Sequence, residues 1–221
     1  MTFLASPAPF ASRLACAALL LAALWAGLVS DAPAAGRAPV ILAFGDSLTS
    51  GFGLPPQDSF PEQLERALRT RGIVARVENA GAVGDTTAGG LARLDWSLAD
   101  KPDLVILELG ANDMLRGIEP SEVRSNLDKI IARIKASGAR LLLVGMRAMP
   151  NWGKKYQKEF DSLYPELARA HGVALYPFFL EGVAMRPELN QPDGLHPNAR
   201  GVAQIVERIA PRIADLLGDR P

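Results

Sequence analysis

The sequence of 221 residues holds one cysteine, Cys16, and two histidines, His171 and His196. A single thiol cannot close an internal disulfide, and so few thiols and imidazoles exclude zinc-finger and multi-histidine metal sites. Chemistry that needs an imidazole must therefore use His171 or His196. Net charge is missing too: 24 basic side chains balance 24 acidic ones. No overall field gathers polyanions, and no local basic patch stands out to take nucleic acid. Neither Gly-x-x-x-x-Gly-Lys-Ser/Thr nor Gly-x-Gly-x-x-Gly follows the first apolar strand, which argues against a nucleotide cradle. What remains, with 48% apolar and 22% charged residues, is the composition of an ordinary globular protein of one domain, not of a disordered chain.

The longest uncharged apolar run, Leu14 to Val29, follows Arg13 and precedes the small-residue stretch Ser30 to Ala35. That is the three-part layout of a secretory signal peptide. As a helix the run would span about 24 Å at ~1.5 Å per residue, short of the ~30 Å hydrocarbon core, so a permanent span is disfavoured. Cleavage after Ala34 fits best, with Ala32 as the alternative. The expected organisation is a signal peptide over 1–34 and a single folded domain over 35–221, exported to the periplasm or beyond. Cys16 lies early in the apolar run, the wrong place for a lipid-modified mature N-terminus. Residues 35–221 contain no cysteine, which suits an oxidising compartment and rules out a thiol nucleophile.

From Pro39 onward, apolar runs of strand length alternate with segments of helical period. Strands are expected at Val40 to Phe44, Val74 to Glu78, Leu104 to Leu109, Leu141 to Val144 and Val173 to Tyr176. The first helix opens at Ser59-Phe60-Pro61-Glu62, which reads as a capping box with proline in the first turn, and closes at Gly72. Later helices carry Leu91 and Leu94; Val123, Leu127, Ile130, Ile131 and Ile134; Tyr156, Phe160, Leu163 and Leu167; and, from about Asn198 to Leu217, Val202, Ile205, Val206, Ile209 and Ile213. Pro165 and Pro211 are expected to bend the last two. Strands alternating with helices imply a five-stranded parallel sheet covered on both faces, a three-layer α/β/α sandwich.

In such sheets ligands bind outside the carboxyl ends of the strands. Four loops there carry chemistry: Gly45-Asp46-Ser47-Leu48-Thr49, Asn79 to Thr86, Gly110-Ala111-Asn112-Asp113, and Asp193-Gly194-Leu195-His196-Pro197. Together they hold the parts for acyl transfer. Ser47 is a weak nucleophile until a base takes its proton, which His196 can do near neutrality. Asp193 can accept from the other ring nitrogen and fix the useful tautomer. The backbone N–H groups of Ser47 and Gly84 and the side chain of Asn112 can face an oxyanion. Candidate substrate contacts are Asp46, Asp113, Met114, Asn151 and Trp152; Lys154 and Lys155 stand close enough in sequence to meet a phosphate.

These four blocks, in this order, resemble those of the SGNH (GDSL) hydrolases, and residues 38–217 are similar to the bacterial thioesterase, lysophospholipase and arylesterase group within them. The resemblance implies Ser47 as nucleophile, Gly84 and Asn112 as oxyanion donors, and His196 as a base oriented by Asp193. It also implies a flavodoxin-like strand order, hydrolysis of esters, thioesters or lysophospholipids, and no cofactor. The loops Gly51 to Pro56 and Met149 to Gly153 depart from the group's pattern where acyl length would be read. A monomer or small homo-oligomer is expected.

Each residue also has a plainer reading. Asp193 sits in good β-turn chemistry, Asn112 and Asp113 can cap a helix, Asp46 and Asp85 can organise their loops, and His171 reads as a helix C-terminal residue. Glu108 lies inside an apolar strand, and no role for it follows from sequence. The Gly-x-Ser-x-Gly elbow is absent because Thr49 fills its last position. A carbohydrate O-acetylesterase on the same scaffold, or an inactive ligand-binding protein, are the rival functions.

Overall fold

The computed structural model describes Thr2 and residues 37–218. The expected signal peptide and its cleavage site fall outside them. Among the described residues no helix is long and apolar enough to cross a membrane. The chain divides into the units Met1–Arg37 and Ala38–Pro221, and the second carries everything that follows.

Its strands are β1 (Val40–Gly45), β2 (Arg76–Gly81), β3 (Leu104–Glu108), β4 (Arg140–Val144) and β5 (Ala174–Tyr176). All pairings are parallel, in the order β2-β1-β3-β4-β5. Seven α-helices complete the described unit: α1 (Ser47–Ser50), α2 (Phe60–Thr70), α3 (Thr87–Ser97), α4 (Ala111–Leu115), α5 (Pro120–Ala136), α6 (Gly153–His171) and α7 (Ala199–Gly218). Helix α2 packs on α7, while α5 packs on both α3 and α6. These two groups cover opposite faces of the sheet, because right-handed crossovers that lead leftward from β1 and rightward from β2 must fall on opposite sides. The chain reverses its direction across the sheet at β1 and β3, and the crevice at their carboxyl ends is the binding position of such folds.

Burial explains both the strands that were easy to place and the one that was not. Every residue of β1 and β3 is buried, so both read as continuous apolar runs. Strand β2 is an edge, with only Val77 buried. The expected Val74 to Glu78 is displaced: pairing runs from Val40 with Arg76 to Gly45 with Gly81, and Val74 stands 68% exposed. Asn79, Ala80 and Gly81, expected in a loop, are strand.

Helix α2 starts where expected, but Ser59 makes no side-chain cap bond. Ser59 is buried beneath Gly51, whose place would otherwise be filled by a clashing Cβ. Pro165 and Pro211 both lie within continuous helices. Helix α5 buries Val123, Leu127, Ile130, Ile131 and Ile134, each worth about 1.5–3 kcal/mol against exposure.

Candidate active site

Strand β1 ends in Gly45 and passes without a loop into α1, so Ser47 is fixed by this fully buried interior strand and by its own first helical turn. Asp46 caps that turn, accepting the Leu48 N–H on Oδ1 at 2.9 Å. Gly45 is required by crowding. A Cβ there would run into Thr49 Oγ1 and sit 2.6 Å from the Glu108 carbonyl oxygen, and that backbone atom cannot swing aside. Gly45→Ala should therefore overpack the strand by about 1–3 kcal/mol and lower the melting temperature by roughly 2–10 °C. An unchanged thermal melt would show that the contact relaxes.

The base arrives from the opposite end of the sequence. His196 Nε2 lies 2.9 Å from Ser47 Oγ, and its Nδ1 lies 2.6 Å from Asp193 Oδ2. The other Asp193 oxygen accepts the backbone N–H groups of Leu195 and His196 at 2.9 and 3.0 Å, with Gly194 at φ +70 turning the chain between them. Partial burial raises the Asp193 carboxyl, but these donors and the imidazole outweigh it and hold the group at about 2. The turn is closed by Gln191 N–H to His196 O at 2.8 Å and by the bridge between Asn190 and Pro197. Gln191 Nε2 also donates to Phe52 O at 2.8 Å, and the Phe52 ring tilts against the imidazole at 4.9 Å.

Ser47, Gly84, Asn112 and His196 line one cavity of about 290 Å³. Gly84 takes φ +77 in the loop after β2, and its carbonyl is turned away to Arg116, which donates at 2.8 Å. Asn112 sits in the first turn of α4, entered through Gly110 at φ +118. It gives one amide N–H to Asp46 Oδ2 at 3.1 Å, which leaves the second for an oxyanion. Arg93 fastens the first two loops together, donating to Gly45 O, Ala80 O and Asp85 while its guanidinium covers the Phe44 ring.

Behind this wall lie three carboxyls. Asp113 is fully buried and accepts the Thr87 N–H and hydroxyl at 2.9 and 2.6 Å, bracing α3 against α4. Burial raises it against the pull of Thr87. Burial pushes Asp46 up from 3.8 to about 6 despite the Leu48, Asn112, Glu108 and His196 interactions that lower it. The folded state thus holds this proton more tightly than the unfolded chain, and the group's contribution to stability falls as pH rises across that interval. Glu108, fully buried, is raised well above the carboxylate range by burial and by the neighbouring Asp46 charge.

Of the candidate substrate contacts, only Met114 lines the cavity. Asp46 and Asp113 are corrected to supports behind it, because their oxygens are taken by Leu48, Asn112 and Thr87. Asn151 and Trp152 form a 3-10 turn outside the cavity wall, where the indole covers Gly117 and meets Tyr156. Lys154 and Lys155 do not line the cavity. His171 ends α6 and meets Asp128 at 2.8 Å. The wall is built instead from residues that sequence reasoning missed, among them Phe52, Val83, Met146, Met149, Leu180 and Met185. Phe52 and Met149 fall in the two loops where acyl length was expected to be read, and Val83 in the reactive loop after β2; Met146, Leu180 and Met185 carry no signal that separates them from core. Among the described residues no three His, Cys, Asp or Glu side chains gather as metal ligands.

The model of the GDSL-like lipase/acylhydrolase family matches residues 43–204. The arylesterase of Vibrio mimicus is 46% identical over 171 residues, covering 77% of this chain and 86% of that protein. The thioesterase 1/protease 1/lysophospholipase L1 of Escherichia coli K12 is 36% identical over 184 residues, covering 83% and 87%. Among solved structures, AlinE4, an SGNH-hydrolase family esterase, matches with 52% identity and a TM-score of 0.70 over 82% of this chain and 98% of that one.

Proposed function

Because the chain belongs to the GDSL-like lipase/acylhydrolase family and is a carboxylic ester hydrolase, we propose that it works through a covalent acyl-serine intermediate on Ser47. The observation that carries this reading is the unbroken relay from Ser47 Oγ to His196 Nε2 and from Nδ1 to Asp193. His196 takes the serine proton as Oγ attacks the carbonyl, and Asp193 stabilises the imidazolium that forms. The oxyanion is met by the N–H groups of Ser47 and Gly84 and by the Asn112 amide, each such donor worth about 2.7–4 kcal/mol of barrier. His196 then protonates the leaving group, and water releases the acyl chain through the same base.

The substrates are small-molecule carboxylic esters, with acyl thioesters and lysophospholipids included on the strength of the relatives' activities. The apolar cavity wall suits an acyl chain better than a sugar. Residues 35–221 form the catalytic domain, working as a monomer or small homo-oligomer without nucleic acid. The segment 1–34 directs export to the periplasm or the medium.

Treatment with an alkyl fluorophosphonate tests the mechanism directly. One covalent adduct per chain, mapped to Ser47 by peptide mass spectrometry, is the expected result. An adduct at another residue, or inhibition without any adduct, would overturn the acyl-serine step.

A further inference from the structure

Glu108 is the last residue of β3, fully buried at the foot of the catalytic wall. Its Oε2 accepts from Thr49 Oγ1 at 2.8 Å. Its Oε1 is buried and, among the described residues, faces no donor. In the sheet register Glu108 pairs with Gly45, the residue before Asp46, so that two buried carboxyls are neighbours, and each shifts the other's protonation. Two carboxylates cannot satisfy one another, since both only accept, and an unpaired buried charge would be costly. The contact becomes favourable when one proton lies between them and the other group keeps the charge.

The surroundings decide which group keeps it. Asp46 already accepts two N–H donors, from Leu48 and Asn112, and feels the His196 charge. Glu108 has the Thr49 hydroxyl and the Asp46 backbone N–H, but the charge it feels is that of Asp46, which raises it. The remaining titratable neighbours do not reverse this. Tyr164 on α6 spends its hydroxyl on Leu109 O, and Arg93 on α3 reaches Gly45 O rather than either carboxyl.

We propose that Glu108 is a positioning residue for the oxyanion hole: as the neutral acid it donates its proton to Asp46, and the Asp46 carboxylate so held fixes the Asn112 amide and the Leu48 N–H. This rests on the assignment of Asn112 as an oxyanion donor. Glu108 touches no substrate; it acts two hydrogen bonds away, through Asp46 and Asn112. It also explains why an ionisable residue persists in an otherwise apolar central strand.

The test compares Glu108→Gln, Glu108→Leu, Asn112→Ala and the Glu108→Leu/Asn112→Ala double variant, measuring kcat, KM and the pH profile on p-nitrophenyl butyrate. Asn112→Ala should lose about 10²-fold in kcat. Glu108→Leu should lose roughly 10-fold in kcat with KM little changed, and the double variant should be no slower than Asn112→Ala alone. Removing the donor to the ionised Asp46 should also move the acid limb of Glu108→Leu to higher pH. Glu108→Gln, which restores a neutral donor, should recover most of the rate and return the limb to its wild-type position.

Wild-type kcat in a folded Glu108→Leu, or losses that simply add in the double variant, would overturn the proposal. An acid limb shifted to lower pH in Glu108→Gln would overturn it too, since that shift reports an ionised Glu108 beside Asp46. If Glu108→Leu does not fold, the position of the Glu108→Gln limb decides alone. A wild-type rate in Asn112→Ala is the distinct result that defeats the oxyanion assignment and this inference with it.

Discussion

Ser47→Ala is expected to hydrolyse p-nitrophenyl esters at least ~10³-fold more slowly than the unaltered protein, with a loss approaching 10⁶-fold where the chemical step limits the rate. The size follows from the lack of any substitute nucleophile. Ser50 donates to Ser47 O, Thr49 is buried and committed to Glu108, and His196 contacts neither. Residual activity would come from binding and the oxyanion donors alone, which such a variant retains. Ser47 is 7% exposed, and alanine removes one oxygen without a new clash, so the thermal melt should be unaltered. A loss below 10-fold would move the nucleophile elsewhere.

His196→Ala should cost about as much as Ser47→Ala, and adding it to Ser47→Ala should cost little more, because the two act as one unit. The unaltered protein should gain activity with rising pH, because a general base must be unprotonated to accept the serine proton. Asp193 adds no step to that limb near neutrality, since its carboxyl is held at about 2. Its depressed value also sets a stability window: the contribution is present above its ordinary value of 3.8 and is lost as pH falls towards 2. With 39% of the side chain exposed, that contribution is small. A pH–rate profile that is flat from 5 to 8, or a His196→Ala protein within 10-fold of the original, would remove His196 from the mechanism.

What could be read from the sequence divides along a physical line. Strands β1 and β3 are buried on both faces, so their apolar runs place them directly, and the reactive loops follow at once from the strand ends. The edge strand β2 pairs on one side only and holds Arg76, Glu78 and Asn79; its position is set by register with β1, which no local pattern records. Serine, aspartate and histidine each had a turn or capping reading alone; the four ordered blocks at strand ends, their resemblance to the SGNH hydrolases and the spacing of Asp193 to His196 singled them out. The cavity wall was not legible, because Leu180 and Met185 lining a pocket look like Leu and Met packed in a core. Asn151 and Trp152 stood out for the opposite reason: an amide and an indole in a loop suggest recognition, whereas neither lines the cavity and the indole covers Gly117. Glu108 was visible as an anomaly, and its meaning lay in a contact with Asp46 that only the folded chain makes.

The Asp193 turn carries a consequence for how the molecule tolerates change. Asp193 and His196 are three residues apart and share backbone as well as side-chain bonds, so their mutual geometry is set chiefly within one loop. Ser47 is 149 residues away from His196, mounted at the end of β1. The whole intervening chain therefore converges on a single dimension, the 2.9 Å between Nε2 and Oγ. A distant substitution that leaves this gap and the oxyanion donors alone is invisible to catalysis, and one that widens the gap by an ångström disables a dyad that is itself intact.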